Sequence, residues 1–119
     1  MEREVHLARA TELGRITVSS EAISQIVGQV ASECYGVVGL AGRRGLPRLR
    51  PRDRLTAGIE VDGRGDGLEI ELSVVIEYGL NLAEVASTVR SRVAYEVERQ
   101  TGLPVTAVEV RIDDVRRSD

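Results

Sequence analysis

The feature that most constrains the fold is an alternating run of apolar and acidic residues near the middle of the chain. Apolar side chains occupy every second position from Leu68 to Tyr78, and the positions between them include Glu69, Glu71 and Glu77. Because successive side chains of a β-strand point to opposite faces of its sheet, this pattern predicts a long strand with one buried and one wet face. Any fold for this chain must cover one side of a sheet and leave the other to solvent.

Two helical segments can supply that cover. The first follows Ser19, a suitable N-cap, and runs to about Cys34 with apolar residues at helical spacing. The second follows Asn81, which is also a suitable N-cap, and ends near Gly102, where a left-handed residue would terminate it. Pro104 then prevents further helix.

Shorter strand patterns complete the set of elements. They lie at residues 14–19, 36–40, 59–62 and 105–113, and the glycine-rich stretch DGRGDG predicts a hairpin turn before the long strand. The order is β-α-β-β-β-α-β, and its final β-α-β step predicts a parallel pair. With only two helices available, the expected fold is α+β, a two-layer sandwich in which both helices cover one face of a mixed sheet of about five strands.

The other face of that sheet is expected to be acidic and exposed. Its predicted carboxylates come from three strands, and they are Glu60, Glu69, Glu71, Glu77 and Glu109. An acidic sheet face is a candidate surface for a basic partner.

A basic segment at residues 42–54 contrasts with this acidic body. Its six arginines and one aspartate give it a charge of +5. The net charge of the chain is −3, so the rest of the chain has a charge of −8. Pro47 and Pro51 disfavour a helix there, which predicts an exposed, extended loop. The candidate contact residues in this loop are Arg43, Arg44, Arg48, Arg50, Arg52 and Arg54.

Four interpretations of the arginine segment stay open on the residues alone. It can be a solvated loop without a partner, a phosphate-binding segment of a small nucleic-acid-binding module, or a contact with an anionic membrane leaflet. It can also be a protein contact, including one with the acidic sheet face of a second copy. The segment contains no aromatic residue for base stacking, which weighs against nucleic acid.

Candidate catalytic and metal-binding residues are few. His6 is the single histidine and Cys34 the single cysteine, so neither a catalytic Cys-His pair nor a histidine-based triad is predicted. Asp113 and Asp114 are adjacent on a strand and are expected to point to opposite faces. We therefore expect no enzymatic activity, no cofactor and no metal site. The lone cysteine and the polar N-terminus predict a cytoplasmic protein.

Several short motifs occur together in an order that is typical of one protein family. They are GRITVSS before the first helix, GVVGL after it, VIEYG leading into the second helix, and TGLPV before the closing VEV strand. Over residues 14–115 the chain resembles the alkaline shock protein family of bacterial envelope stress response proteins, although Glu109 stands where the family usually has asparagine.

The resemblance implies a role and a domain layout. It implies a small non-enzymatic cytoplasmic domain, linked to cell-wall and alkaline stress, that acts through protein association. Some members are recruited to the inner face of the membrane by an anchor protein. Residues 14–115 would form the domain, with a flexible N-terminal tail at residues 1–13 and a C-terminal tail at residues 116–119.

Overall fold

The computed structural model describes residues 6–11, 13–40, 58–64 and 67–117. The predicted arginine segment at residues 42–54 lies outside the described residues. In chain order the elements are β1 (His6–Thr11), β2 (Gly14–Ser19), α1 (Ser20–Glu33), β3 (Val37–Leu40), β4 (Ile59–Arg64), β5 (Gly67–Glu77), α2 (Leu82–Thr101) and β6 (Val105–Arg116).

The long alternating strand, β5, is the centre of the main sheet. β6 runs parallel to it along one edge, with paired residues from Leu68↔Val105 to Glu77↔Arg116 and two register shifts between them. On the other edge β4 pairs antiparallel with the first half of β5, and β3 pairs antiparallel with the second half. β3 and β4 therefore lie end to end, and the four-stranded sheet is three strands wide.

Both helices begin and end as their sequences predict. Ser19 Oγ accepts a hydrogen bond from the Ala22 N–H at 3.1 Å, and Asn81 Oδ1 accepts one from the Glu84 N–H at 3.0 Å. α2 ends at Gly102, whose φ of 76° is left-handed. These caps satisfy backbone groups that a helix end would otherwise leave without partners.

Both helices pack on the same face of the sheet, which confirms the predicted α+β class. From the sheet, Leu68, Leu72, Val74 and Ile76 are each 0% exposed. The helices contribute a matching set of buried residues, namely Ile23, Val27, Val30, Ala31, Cys34, Val85, Val89, Val93 and Val97. Burial of these branched side chains supplies the main stabilising term for the domain.

The first predicted strand does not join the main sheet. β2 pairs antiparallel with β1 in a separate two-stranded sheet, in register from His6↔Ser19 to Thr11↔Gly14. Part of the segment expected to be a flexible tail, residues 1–13, is therefore a strand. A second boundary also differs, because β6 continues to Arg116 through its pairing with Glu77.

Candidate functional site

The face of the sheet that points away from the helices, which we call the open face, is the main candidate site. Strand register arranges its carboxylates in rows. One row is Glu60, Glu71 and Glu109, and the next is Asp62 and Glu69. Five carboxylates from three strands are thus neighbours at one end of this face.

Exposure of these side chains follows the sequence prediction in most places. Glu60, Glu69 and Glu109 are exposed, whereas Glu71 and Glu77 are half-buried. The structure brings the first four together, but Glu77 lies at the far end of β5, opposite Arg116 in the β6 register. The carboxylates of the predicted acidic face are therefore clustered at one end, and Glu77 lies apart from that cluster.

Arginines from β6 modify the charge of the open face. Arg111 Nη1 lies 3.7 Å from Glu71 Oε2, and the side chains of Arg111 and Glu71 are 59% and 41% exposed. Arg116 is also exposed. Along β6 the open face therefore changes from acidic at Glu109 to mixed charge beyond it, where Arg111 and Arg116 lie on either side of Asp114, the register partner of Val75. Such a pattern can orient a partner of complementary charge.

One apolar residue interrupts the open face. Val75 lies between Val74 and Ile76, which both point to the helices, so its side chain points the other way. It is nevertheless only 4% exposed and lies outside the main core cluster. The expectation of a uniformly wet face is therefore wrong at this position.

The concave features of this face are shallow. A depression of about 180 Å³ lies among the carboxylates and is lined by Glu60, Asp62, Glu69, Ile70, Glu71, Ala107, Val108 and Glu109. In the described part of the chain, no group of three or more histidine, cysteine or acidic residues has the geometry of a metal site.

A second, larger groove of about 540 Å³ lies between α1 and α2. Within it Arg99 donates to Glu96 Oε1 at 2.7 Å and Gln100 donates to the same oxygen at 3.2 Å. The hydrogen bonds from Arg99 and then Gln100 lower the pKa of Glu96 below its usual value. Glu96, Arg99 and Gln100 therefore hydrogen-bond to one another within this groove.

Cys34 is a buried residue of the helix-side core. It is 4% exposed, and its Sγ donates to the Val30 carbonyl at 3.4 Å. Burial raises the pKa of this thiol above its usual value, with a smaller opposing contribution from Arg92. A thiol held in its protonated form by burial is poorly suited to nucleophilic attack.

The structure does not place the six arginines that the sequence singles out. Arg43, Arg44, Arg48, Arg50, Arg52 and Arg54 all lie outside the described residues. Conversely, sequence reasoning did not select Asp62 or Arg111 as site residues. The alternation in VDG and in VEVRID was the signal that could have placed both on the open face.

None of the helices in the described part of the chain is long and apolar enough to cross a membrane.

Comparison with known proteins identifies relatives over nearly the whole chain. The model of the alkaline shock protein 23 family, described as having a cell envelope-related function, matches residues 8–117. YloU of Bacillus subtilis, an uncharacterized protein, is 32% identical over 110 residues, which cover 89% of this chain and 92% of YloU. A stress response regulator gls24 homolog of Streptococcus pyogenes serotype M3 is 25% identical over 109 residues, which cover 89% of this chain and 61% of that protein.

Comparison with solved structures shows a similarity of fold alone. Two variants of the MamM CTD superpose with a TM-score of 0.51 at 13% and 12% sequence identity. The match covers 79% of this chain and 95% and 93% of those chains.

Proposed function

This chain belongs to the alkaline shock protein 23 family, whose function is cell envelope-related, and from that premise we propose that it is a stress response protein acting by protein association, without catalysing a reaction. The observation that carries the proposal is the open face of the sheet. Among the described residues the helices cover only the opposite face, so a broad charged surface of the sheet is open to contact with another macromolecule.

The charge arrangement of the open face favours recognition of a protein. Carboxylates of Glu60, Glu71 and Glu109 form a row across three strands, with Arg111 beside them. Such a pattern both attracts and orients a partner, because the charges of the partner must be opposite in sign and placed at corresponding positions. The best-fitting partner surface is basic where it meets this row.

The same geometry argues against catalysis by these carboxylates. A general acid or base is usually held in a concave site where burial or a close charge adjusts its pKa. Glu60, Glu69 and Glu109 are instead exposed around a depression of about 180 Å³. A surface of this kind suits contact with a large partner better than enclosure of a small substrate.

In this proposal a partner protein, and not the domain itself, provides the attachment to the envelope. A membrane-anchored protein that binds the open face would hold this domain at the inner side of the cell membrane. Binding to nucleic acid, the second function that the sequence predicts, depends on arginines outside the described residues. The carboxylates of the open face would repel a phosphate backbone, so the described residues do not favour that function.

The test compares two variants of equal charge change in cells that lack their own copy of the gene. The first neutralises the open face by Glu60→Gln, Glu69→Gln and Glu109→Gln. The second neutralises three exposed helix carboxylates by Glu21→Gln, Glu33→Gln and Glu84→Gln. Both variants are first checked for unchanged thermal unfolding.

We expect the open-face variant to lose survival under cell-wall and alkaline stress and to leave the envelope fraction. The helix variant should retain both properties. Equal behaviour of the two variants would contradict the proposal, as would a substrate turned over by the purified protein.

A further inference from the structure

The outer edge of β6 is an unpaired edge of the main sheet in the part of the chain that the structure describes. β6 has 12 residues and pairs with β5 along one edge; within the described ranges no strand pairs with its other edge. An edge strand of this length is a template for pairing with another strand, and proteins commonly protect such edges.

Both ends of β6 have features that hinder pairing of the outer edge with another strand, whereas its centre does not. Register shifts interrupt the pairing with β5 at Leu68/Glu69 and at Val74/Val75. Near one shift Glu98 Oε2 accepts the Val105 N–H at 2.8 Å, and near the other Asp114 Oδ1 accepts the Val115 N–H at 2.8 Å. Residues 107–112 lie between these features in unbroken register, which leaves a regular six-residue edge.

Hydrogen bonds along β5 show which groups of β6 point outward. The N–H groups of Leu68 and Tyr78 donate to β6 and its approach, at Pro104 and Arg116. Those of Ser73 and Glu77 donate to the opposite edge. Even-numbered β5 residues therefore bond to β6.

In a parallel pair, a residue does not bond to its register partner but to the two residues on either side of that partner. The N–H and C=O groups of each even-numbered β5 residue therefore bond to the β6 residues before and after its register partner. The register partners of the even-numbered β5 residues are Val108, Val110 and Ile112. Their backbone N–H and C=O groups accordingly point away from β5, and those of Glu109 and Arg111 point toward it.

We propose that two copies of this chain pair antiparallel through the outer edges of β6, around a two-fold axis at Val110. In this register Val110 faces Val110 of the partner subunit, and the two outward backbone groups exchange hydrogen bonds. Val108 faces Ile112 of the partner subunit in the same way. Glu109 then lies directly opposite Arg111 of the partner subunit on the open face, and symmetry forms this pair twice.

Charge selects this register over its neighbours. Moving the axis to Glu109 places two glutamates opposite each other, and moving it to Arg111 places two arginines opposite each other. Like charges at directly opposed positions destabilise a strand pair. With the axis at Val110, the row of Glu60, Glu71 and Glu109 instead continues into an arginine of the partner subunit.

The apolar side of β6 is also suited to the pairing. Val108, Val110 and Ile112 pack against the helix-side core but are only partly buried in the single chain. α2 therefore leaves part of each side chain uncovered, and a second copy of the strand would bury more of it. The proposal rests on β6 and does not depend on the proposed function at the envelope.

Charge reversal with purified full-length protein tests the register. Sedimentation velocity up to about 1 mM should show a dimer for the wild type, and Glu109→Arg or Arg111→Glu should each weaken dimerisation roughly tenfold or more. An equimolar mixture of the two single variants should recover the dimer, since every arginine at positions 109 and 111 would then face a glutamate of the other variant. These substitutions leave the chain fold in place because both side chains are exposed.

The double variant carrying Glu109→Arg and Arg111→Glu should also dimerise as the wild type does. The matched control is Glu60→Arg, which makes the same charge change on β4, two strands away, and should leave dimerisation unchanged. Wild-type protein that stays monomeric overturns the proposal, as does a dimer unaffected by either single reversal.

A backbone variant tests the edge independently of charge. Val110→Pro removes one outward N–H while sparing the bonds to β5, because proline is tolerated where an edge N–H faces solvent. It should be a folded monomer by circular dichroism and sedimentation. A folded Val110→Pro protein that dimerises as tightly as wild type would rule out pairing at this edge.

Discussion

The two faces of β5 differ in what holds their side chains in place. On the helix side Leu72 and Val74 are 0% exposed and packed within one core. On the open side Glu69 is exposed and Glu71 is half-buried beside Arg111. One strand of 11 residues thus combines positions that packing fixes with positions that it does not.

The difference separates stability from recognition. Residues on the helix side contribute through burial, so changes there should alter folding. Apart from Val75, the side chains on the open side contribute less to burial and can be selected for their charge. The comparison predicts that the same strand has a stability-determining set and a partner-determining set at alternate positions.

The largest expected effect comes from Leu72→Ala. It removes three buried carbon atoms from a fully enclosed side chain and should lower the free energy of unfolding by about 3 kcal/mol. Urea denaturation measures this loss. The neighbouring open-face change Glu69→Ala should stay within about 0.5 kcal/mol of wild type. Similar losses for the two variants would contradict a difference in stability contribution between the two faces.

A second test addresses the close approach of β5 and the start of β6. A Cβ on Gly67 would lie 2.8 Å from the Pro104 carbonyl oxygen and 2.6 Å from Thr106 Cγ2. Gly67→Ala should therefore force the backbones apart and cost about 2 kcal/mol. Gly39→Ala is the control, because no atom lies within 4 Å of its added Cβ. Thermal unfolding should rank Gly67→Ala well below Gly39→Ala, and the reverse ranking would contradict this account.

Val75 is an exception to the difference between the two faces, because it is buried on the otherwise open side. Val75→Ala removes two carbon atoms and should lower stability by about 1.5 kcal/mol. An effect near zero in urea denaturation would mean that its enclosure adds nothing to folding. Val74→Ala, at the adjacent helix-side position, provides the reference for a buried valine in the main core.

The smallest effect concerns pH and Cys34. Burial raises the pKa of this thiol above its ordinary value, so folding favours its protonated form. The resulting stability is fully present below the unfolded pKa and is lost as the pH rises through the folded pKa. The urea midpoint should therefore fall further between pH values of about 8 and about 10 for wild type than for Cys34→Ala. An equal fall in both proteins would exclude Cys34 as the cause.

Much of the fold could be predicted from local sequence. The alternation from Leu68 to Ile76 predicted β5, and the capping residues Asn81 and Gly102 predicted the bounds of α2. These features are local, because side-chain period and cap chemistry are decided by nearby residues. Placement of both helices on one face followed from the single apolar side of the strands.

The remaining features depend on contacts between distant segments. β1 has no clean alternation, and it forms only through its pairing with β2. The position of β3 beside the second half of β5 also depends on tertiary pairing. For the site, sequence predicted the glutamates of the open face. The separation of Glu77 was also predictable, because it lies six residues, about 20 Å, along the same strand from Glu71. Sequence could not predict that Glu60 and Glu109 flank Glu71, because that row comes from strand register.

The claim that the open face is the partner surface can be tested most directly by photocrosslinking in cells under envelope stress. A photoreactive phenylalanine analogue replaces either Glu71 on the open face or Tyr95, which is 63% exposed on α2. The account predicts covalent adducts with other proteins from position 71 and none from position 95. Adducts from position 95 alone would contradict it.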